Sequence, residues 1–279
     1  MSPLRSKMVM EMQLRNLSSN TIEDYTRQMV EYAKYFGRSP AELGEREIKE
    51  YLHHLLVIRG LSWSSVNVCY CALRFFYVKV MKHPWNVENI PRPKTGTLLP
   101  EILSDNEIIR LFDASKNFKH RIILMTIYSA GLRVSEVTRL KPAHIDSDRM
   151  LIRIEQSKGR KDRYTLLSAA LLPELRSYYQ QFRPRTWLFE GKTPGQAISV
   201  ETVQRVFKKA KDVAGIQKKA SVHTLRHCFA THLMENGTDI FRIKEFMGHR
   251  SIQTTLRYIH VRREHLRRAQ SPLDTLLAG

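Results

Sequence analysis

His-Thr-Leu-Arg-His-Cys-Phe-Ala-Thr-His-Leu-Met-Glu-Asn-Gly runs from His223 to Gly237 and decides the fold of the second half of this chain. Leu225, Phe229 and Leu233 recur every four residues, which gives a helix one apolar face. Asn236-Gly237 then stops it. His223 and Arg226 lie three apart, so that helix carries both on one face. His227 and His232 share the helix and are read as structural residues. The next helix spans Ile240 to Met247 and ends at Gly248, which leaves His249 just beyond a helix end. Ser251 caps a further short helix carrying Tyr258, nine residues after His249.

Working outward, Ile122, Ile123, Met125 and Thr126 belong to a buried helix that ends at Gly131. Arg133 then sits at a helix junction, where a bend can aim it inward. Glu136, three residues on, is placed to orient a neighbouring cation. Leu151, Ile152 and Ile154 form a β-rich run, and Tyr164-Thr165-Leu166-Leu167 forms another. Ser157 to Asp162 reads as the hairpin turn between them, with Lys158 on it and Lys161 and Arg163 as phosphate contacts. Helices follow from Ala170 to Phe182 and after the cap at Ser199. The latter carries Val203, Val206, Phe207 and Ala210 on one side and the basic Lys208 and Lys209 elsewhere, a candidate phosphate-tracking face.

Arg133, Lys158, His223, Arg226, His249 and Tyr258 together suit a phosphodiester. Its pentacovalent state gathers negative charge on the free oxygens, and fixed arginine and histidine donors are worth most when aimed there. The planar guanidinium can hold two phosphate oxygens at once. A tyrosine nucleophile stores the bond as a covalent phosphotyrosine and splits one displacement into two. A base must take its proton and an acid must protonate the departing 5′ oxygen. His223 is the candidate base or relay, and Lys158 the candidate acid.

The first third reads as all helix. Asn20 with Glu23 offers a capping box. Ile22, Tyr25, Met29, Tyr32 and Phe36 recur behind it up to Gly37. Ile48, Leu52, Leu55 and Leu56 mark a second helix. Val66, Cys69, Leu73, Phe76 and Val80 mark a third, starting near Ser62. The aromatics here are read as core. Arg74 and Lys79 fall off the stripe and are candidate phosphate contacts. Pro84, Pro91, Pro93 and Pro100 then punctuate an extended connector, after which Ser104 and Glu107 form a capping box.

The 279 residues suit two domains, and 46 Lys plus Arg against 27 Asp plus Glu give a formal charge of +19, which favours a polyanionic partner. Three cysteines, Cys69, Cys71 and Cys228, show no pairing or metal spacing, as expected of a reducing compartment. No secretory h-region and no stretch near 18 apolar residues stands out, so a soluble, cytoplasmic protein with no membrane contact is expected. No carboxylate cluster able to hold a catalytic magnesium is visible, so neither metal nor cofactor is expected.

The chain resembles the tyrosine recombinase (phage-type integrase) family, and most resembles its short, two-domain, Xer-like members. The match lies in Gly131-Leu-Arg-Val-Ser-Glu136, Lys158-Gly159, His223 to His232, Gly248-His249 and Thr255-Leu-Arg-Tyr258. The resemblance implies a mainly α fold with a small antiparallel sheet (α+β): a helical, SAM-like core-binding domain over residues 1–90, a linker over 91–103 and a catalytic domain over 104–270. It implies cleavage and rejoining of double-stranded DNA through a 3′-phosphotyrosine, inverted half-sites, and a tetramer in the synaptic complex. It also implies a tail, residues 271–279, that docks on a neighbouring protomer. A type IB topoisomerase shares the chemistry, and a non-catalytic DNA-binding regulator could share the fold.

Overall fold

The structure is a computed structural model that describes residues 2–85, 87, 101–155, 162–256 and 258. It divides into two compact units, Met1–Gly96 and Thr97–Gly279.

The first unit is a helical bundle of α1 (Pro3–Leu14), α2 (Ser19–Phe36), α3 (Glu45–His53) and α4 (Trp63–Phe75). A π-helical turn extends α3 over His54–Ile58, and another extends α4 over Phe76–Val80. Met8, Met12, Tyr32, Leu52, Val66, Leu73 and Phe76 fill its core. The aromatics are core residues, as expected: Tyr32 and Tyr51 pack at 5.2 Å between ring centroids, and the Tyr77 hydroxyl donates to the Pro40 carbonyl at 2.7 Å. Arg74 and Lys79 are exposed. Two details differ from expectation. Ser18, not Asn20, caps α2, its side chain accepting from the Thr21 amide. Ser18, Ser19 and Asn20 are all good caps, so spacing alone did not select among them. Helix α1 was not expected. Only Met8 and Met12 are buried on it, too few to print a periodic stripe.

The second unit surrounds a central helix. It contains α5 (Asp105–Ala114), α6 (Phe118–Ala130), the single turn α7 (Val134–Val137) and three strands, β1 (Ile145–Asp146), β2 (Leu151–Ile154) and β3 (Arg163–Leu166). Helices α8 (Leu171–Phe182), α9 (Val200–Val213), α10 (Val222–Glu235), α11 (Ile240–Met247) and α12 (Ile252–Leu256) follow. Helix α6 buries Ile122, Ile123, Leu124, Thr126, Ile127 and Ala130, so it is covered on most sides. It packs on α8, α10, α5 and α9. The sheet is antiparallel in the order β1-β2-β3, with Ile152 opposite both Ile145 and Thr165. Strand β1 was not expected, because a strand of two residues leaves no alternation to read. Leu103, expected in the linker, is fully buried in this core and donates its amide to Cys228 Sγ at 3.3 Å.

Sheet and helices are pinned where the cluster forms. The buried Thr165 hydroxyl donates to the Ala130 carbonyl at 2.8 Å, joining β3 to the end of α6. Strand β3 also packs along α11. Gly131 ends α6 in the left-handed region, at φ +60°, and Gly248 ends α11 in the same way, also at φ +60°. Ser104 and Glu107 make the expected capping box on α5.

Candidate active site

A helix leaves its last carbonyls without internal partners, and its C-terminus carries a partial negative charge. Two such ends meet at one side chain here. Arg226, on α10 and 1% exposed, donates Nη1 to the Gly131 carbonyl at 2.5 Å and Nη2 to the Met247 carbonyl. Burial, then the charge of Arg133, lowers its pKa to about 9, so it remains a cation at neutral pH.

The counter-ion is Glu136, on α7 and 8% exposed. Arg133 caps that turn, giving its backbone N–H to Glu136 Oε2 at 2.8 Å and Nη1 to Oε1 at 2.7 Å. Arg163 forms a bidentate pair with the same carboxylate, at 2.7 and 2.8 Å, and donates Nε to the Phe246 carbonyl at 2.9 Å. Arg226 Nη1 lies 3.7 Å from Glu136 Oε2. Burial alone would raise the pKa of Glu136, but the hydrogen bonds and charge of Arg163, then Arg133, overcome it and bring the value down to about 2. A carboxylate shared among three guanidiniums fixes where they can point.

Three imidazoles line the arginines. His249, past the end of α11, has Nε2 3.4 Å from Arg226 Nη2 and Nδ1 2.9 Å from the hydroxyl of the buried Thr255. Burial, then Arg226 and Arg133, pushes its pKa down to about 3, so the ring is neutral. His223 is an exposed residue. Partial burial of the ring, then Arg226 and Arg133, lowers its pKa too. Its ring meets that of His227 edge-on, at 4.6 Å between centroids. His227 Nδ1 lies 2.9 Å from the Tyr258 hydroxyl. Tyr258 is 4% exposed and stands just beyond α12, its ring parallel to that of His249 within 9°.

The structure therefore brings together Arg133, Glu136, His223, Arg226, His249 and Tyr258, six residues singled out in the sequence. Lys158 and Lys161 lie outside the described residues, as does the tail from Ser271. Arg163 differs from expectation. Its side chain is 8% exposed and is committed to Glu136 and a helix end, so it is an interior residue and not a surface phosphate contact. Lys208 and Lys209 are exposed on α9, and Arg74 and Lys79 belong to the other unit. His232 is structural as expected, between the Tyr128 hydroxyl at 2.8 Å and the Leu103 carbonyl. His227, also read as structural, lies against the Tyr258 hydroxyl. Its place one turn after His223 was the available signal. Among the described residues, no group of His, Cys, Asp and Glu is placed to hold a metal ion, and no helix is long and apolar enough to cross a membrane.

A buried tyrosine beside arginines and imidazoles, on a helix-rich scaffold with a small sheet, is the equipment of one chemical class, in which a hydroxyl attacks a phosphodiester. Comparison with known proteins agrees. Residues 101–265 match the phage integrase family, and residues 4–87 match the N-terminal SAM-like domain of phage integrases. An integrase/recombinase of Sinorhizobium fredii, y4qK, is 41% identical over 277 residues, covering 99% of this chain and 90% of that protein. The tyrosine recombinase XerA of Pyrococcus horikoshii is 32% identical over 278 residues, covering 96% of this chain and 93% of its own length. A crystal structure of the XerH site-specific recombinase, in a post-cleavage complex with palindromic difH substrate, superposes with a TM-score of 0.75 at 22% identity, over 93% of this chain and 82% of that one. That last likeness is one of fold. The chain belongs to the phage integrase family and is a site-specific tyrosine recombinase, an enzyme that cuts and rejoins DNA strands.

Proposed function

We propose that Tyr258 attacks the scissile phosphate and forms a 3′-phosphotyrosyl bond. Arg133, Arg226 and His249 hold the phosphate oxygens, and Glu136 with Arg163 holds the arginines. Two of the five Arg226 N–H groups serve the carbonyls of Gly131 and Met247, which leaves donors over for a phosphate. Lys158 protonates the departing 5′ oxygen, and His223 serves as base or proton relay. The observation that carries this reading is the placing of Tyr258, buried between His227 and His249 with Arg226 adjacent to the latter.

The partner is double-stranded DNA with inverted half-sites. The palindromic substrate of the XerH complex supports this, since a two-fold site takes two protomers and exchange between two sites takes four. The charge of +19 suits such a partner. We assign DNA core binding to residues 1–90, with Arg74 and Lys79 as phosphate contacts, and strand cleavage to residues 104–270, with Lys161, Lys208 and Lys209 as further contacts. Residues 271–279 couple neighbouring protomers, and the protein works in the cytoplasm. The task is recombination between paired sites, in chromosome or plasmid resolution or in the movement of a mobile element.

Tyr258→Phe removes the attacking oxygen alone. On a nicked suicide substrate resolved on a denaturing gel, the covalent protein–DNA band should vanish while gel-shift affinity persists. A retained band would move the nucleophile elsewhere, with Tyr164 the first to try.

A further inference from the structure

The base expected from the sequence was His223, but the hydrogen bond to the Tyr258 hydroxyl comes from its neighbour one helical turn on. His227 Nδ1 stands 2.9 Å from Oη, a distance at which a proton can pass directly. Tyr258 is 4% exposed, so bulk water has little access to that proton. His223 packs on His227, edge-on at 4.6 Å between ring centroids, and is exposed to solvent. Imidazole, imidazole and solvent thus lead away from the tyrosine in order.

We infer that His227 takes the Tyr258 proton as the tyrosine attacks and returns it when the strand is resealed. The inference rests on Tyr258 being the nucleophile. In cleavage the Oη–P bond forms and the P–O5′ bond breaks. The phenol proton passes to His227 Nδ1, and the departing 5′ oxygen takes a separate proton, from Lys158 on the reading above. In resealing the 5′ hydroxyl gives its proton back to Lys158 and attacks phosphorus, the Oη–P bond breaks, and the phenolate regains its proton from His227. Transfer requires the tautomer with its resting proton on Nε2, so that Nδ1 offers a lone pair.

The charges around His227 suit this task. His223 meets it from its own helix and Tyr258 from beyond α12, and the charges of Arg226 and Arg133 act on the flanking His223 and His249. Burial and these arginines lower the pKa of both His223 and His249, so these two rings are held neutral. A bound phosphodiester brings the negative charge that offsets an imidazolium formed during attack.

The test compares wild type, His227→Ala and His227→Asn in first-strand cleavage of a nicked suicide substrate. The Asn carbonyl can accept the Tyr258 hydrogen bond but not a proton. Both variants should cleave on the order of 100-fold more slowly. Their rates should climb with rising pH more steeply than the wild-type rate, because ionisation of the phenol then replaces proton transfer to the imidazole. Near-normal cleavage by His227→Asn would reduce His227 to a positioning residue and overturn the inference. A second arm uses DNA ending in a 3′-(p-nitrophenyl) phosphate, which a 5′-hydroxyl strand can reseal with release of p-nitrophenolate, a leaving group that needs no proton. In a Tyr258→Phe background, His227→Ala should reseal this substrate at the rate of Tyr258→Phe alone. A comparable loss there would mean that His227 holds the site together, and would also overturn the inference. A covalent band from Tyr258→Phe itself would instead defeat the assignment of the nucleophile, so the two failures are distinct.

Discussion

Gly131→Ala is a one-carbon change whose effect can be worked out from the structure. Gly131 sits at φ +60°, where an L side chain costs roughly 1–2 kcal/mol. A Cβ there would also lie 2.3 Å from Phe229 Cδ1 and 2.5 Å from Cε1, closer than carbon atoms approach. Phe229 is 5% exposed and buried among Met234, Ile243 and Met247, so its ring must move against a packed core. Overpacking of this kind costs typically about 1–3 kcal/mol, for a total of roughly 2–5 kcal/mol. Gly215, at φ +66°, has nothing within 4 Å of its Cβ position, so Gly215→Ala carries the backbone cost alone. Urea unfolding of both variants against wild type separates the two contributions. Gly131→Ala should lose roughly 1–3 kcal/mol more than Gly215→Ala. It should also cut DNA more slowly even where fully folded, because the Gly131 carbonyl anchors Arg226. Equal losses from the two variants would refute the steric argument.

Glu136→Gln leaves three guanidiniums without their shared charge, so unfolding free energy should drop by about 3–5 kcal/mol, measured by denaturant titration. Arg226→Lys keeps a cation but cannot span the carbonyls of Gly131 and Met247. Cleavage should fall on the order of 100-fold or more with little change in gel-shift affinity. Acid should destabilise the second unit in two stages. His249, neutral in the fold with a pKa near 3, favours the folded state above its ordinary value of 6.5, and that contribution falls as pH drops from there toward 3. Glu136, held near 2, adds stability above its ordinary 4.5 that is lost between 4.5 and 2. Thermal unfolding of wild type from pH 7 to pH 3 should show a falling midpoint, with a shallower fall in His249→Gln.

Helix ends were the most legible part of the fold. Gly131 and Gly248 stop their helices for a reason confined to one residue, since glycine alone adopts φ near +60° without strain. Ser104 with Glu107 was legible for a similar reason, as a capping box is complete within four residues. Order and residue type alone grouped Arg133, Arg226, His249 and Tyr258. The contacts that give each its function were not visible. His227 meets Tyr258 across 31 residues of chain, and no local pattern separates that from a histidine packed as His232 is. Arg163 closes a basic run from Lys158 that reads as surface. Only the placing of β3 against α11 turns it inward onto Glu136 and the Phe246 carbonyl. Helix α1 left no stripe, because a bundle of this size needed only two methionines from it.

The two carbonyls that anchor Arg226 belong to Gly131 and Met247, far apart along the chain. The guanidinium is held at both ends only once the helices α6 and α11 have both docked on α10. Closing such long loops is deferred until the intervening chain has folded. During synthesis Arg133 and Glu136 emerge first and Tyr258 emerges last. On the proposed assignment of Tyr258, the nucleophile and the grip that aims it come into existence together, so the chain cuts no DNA before this unit has folded.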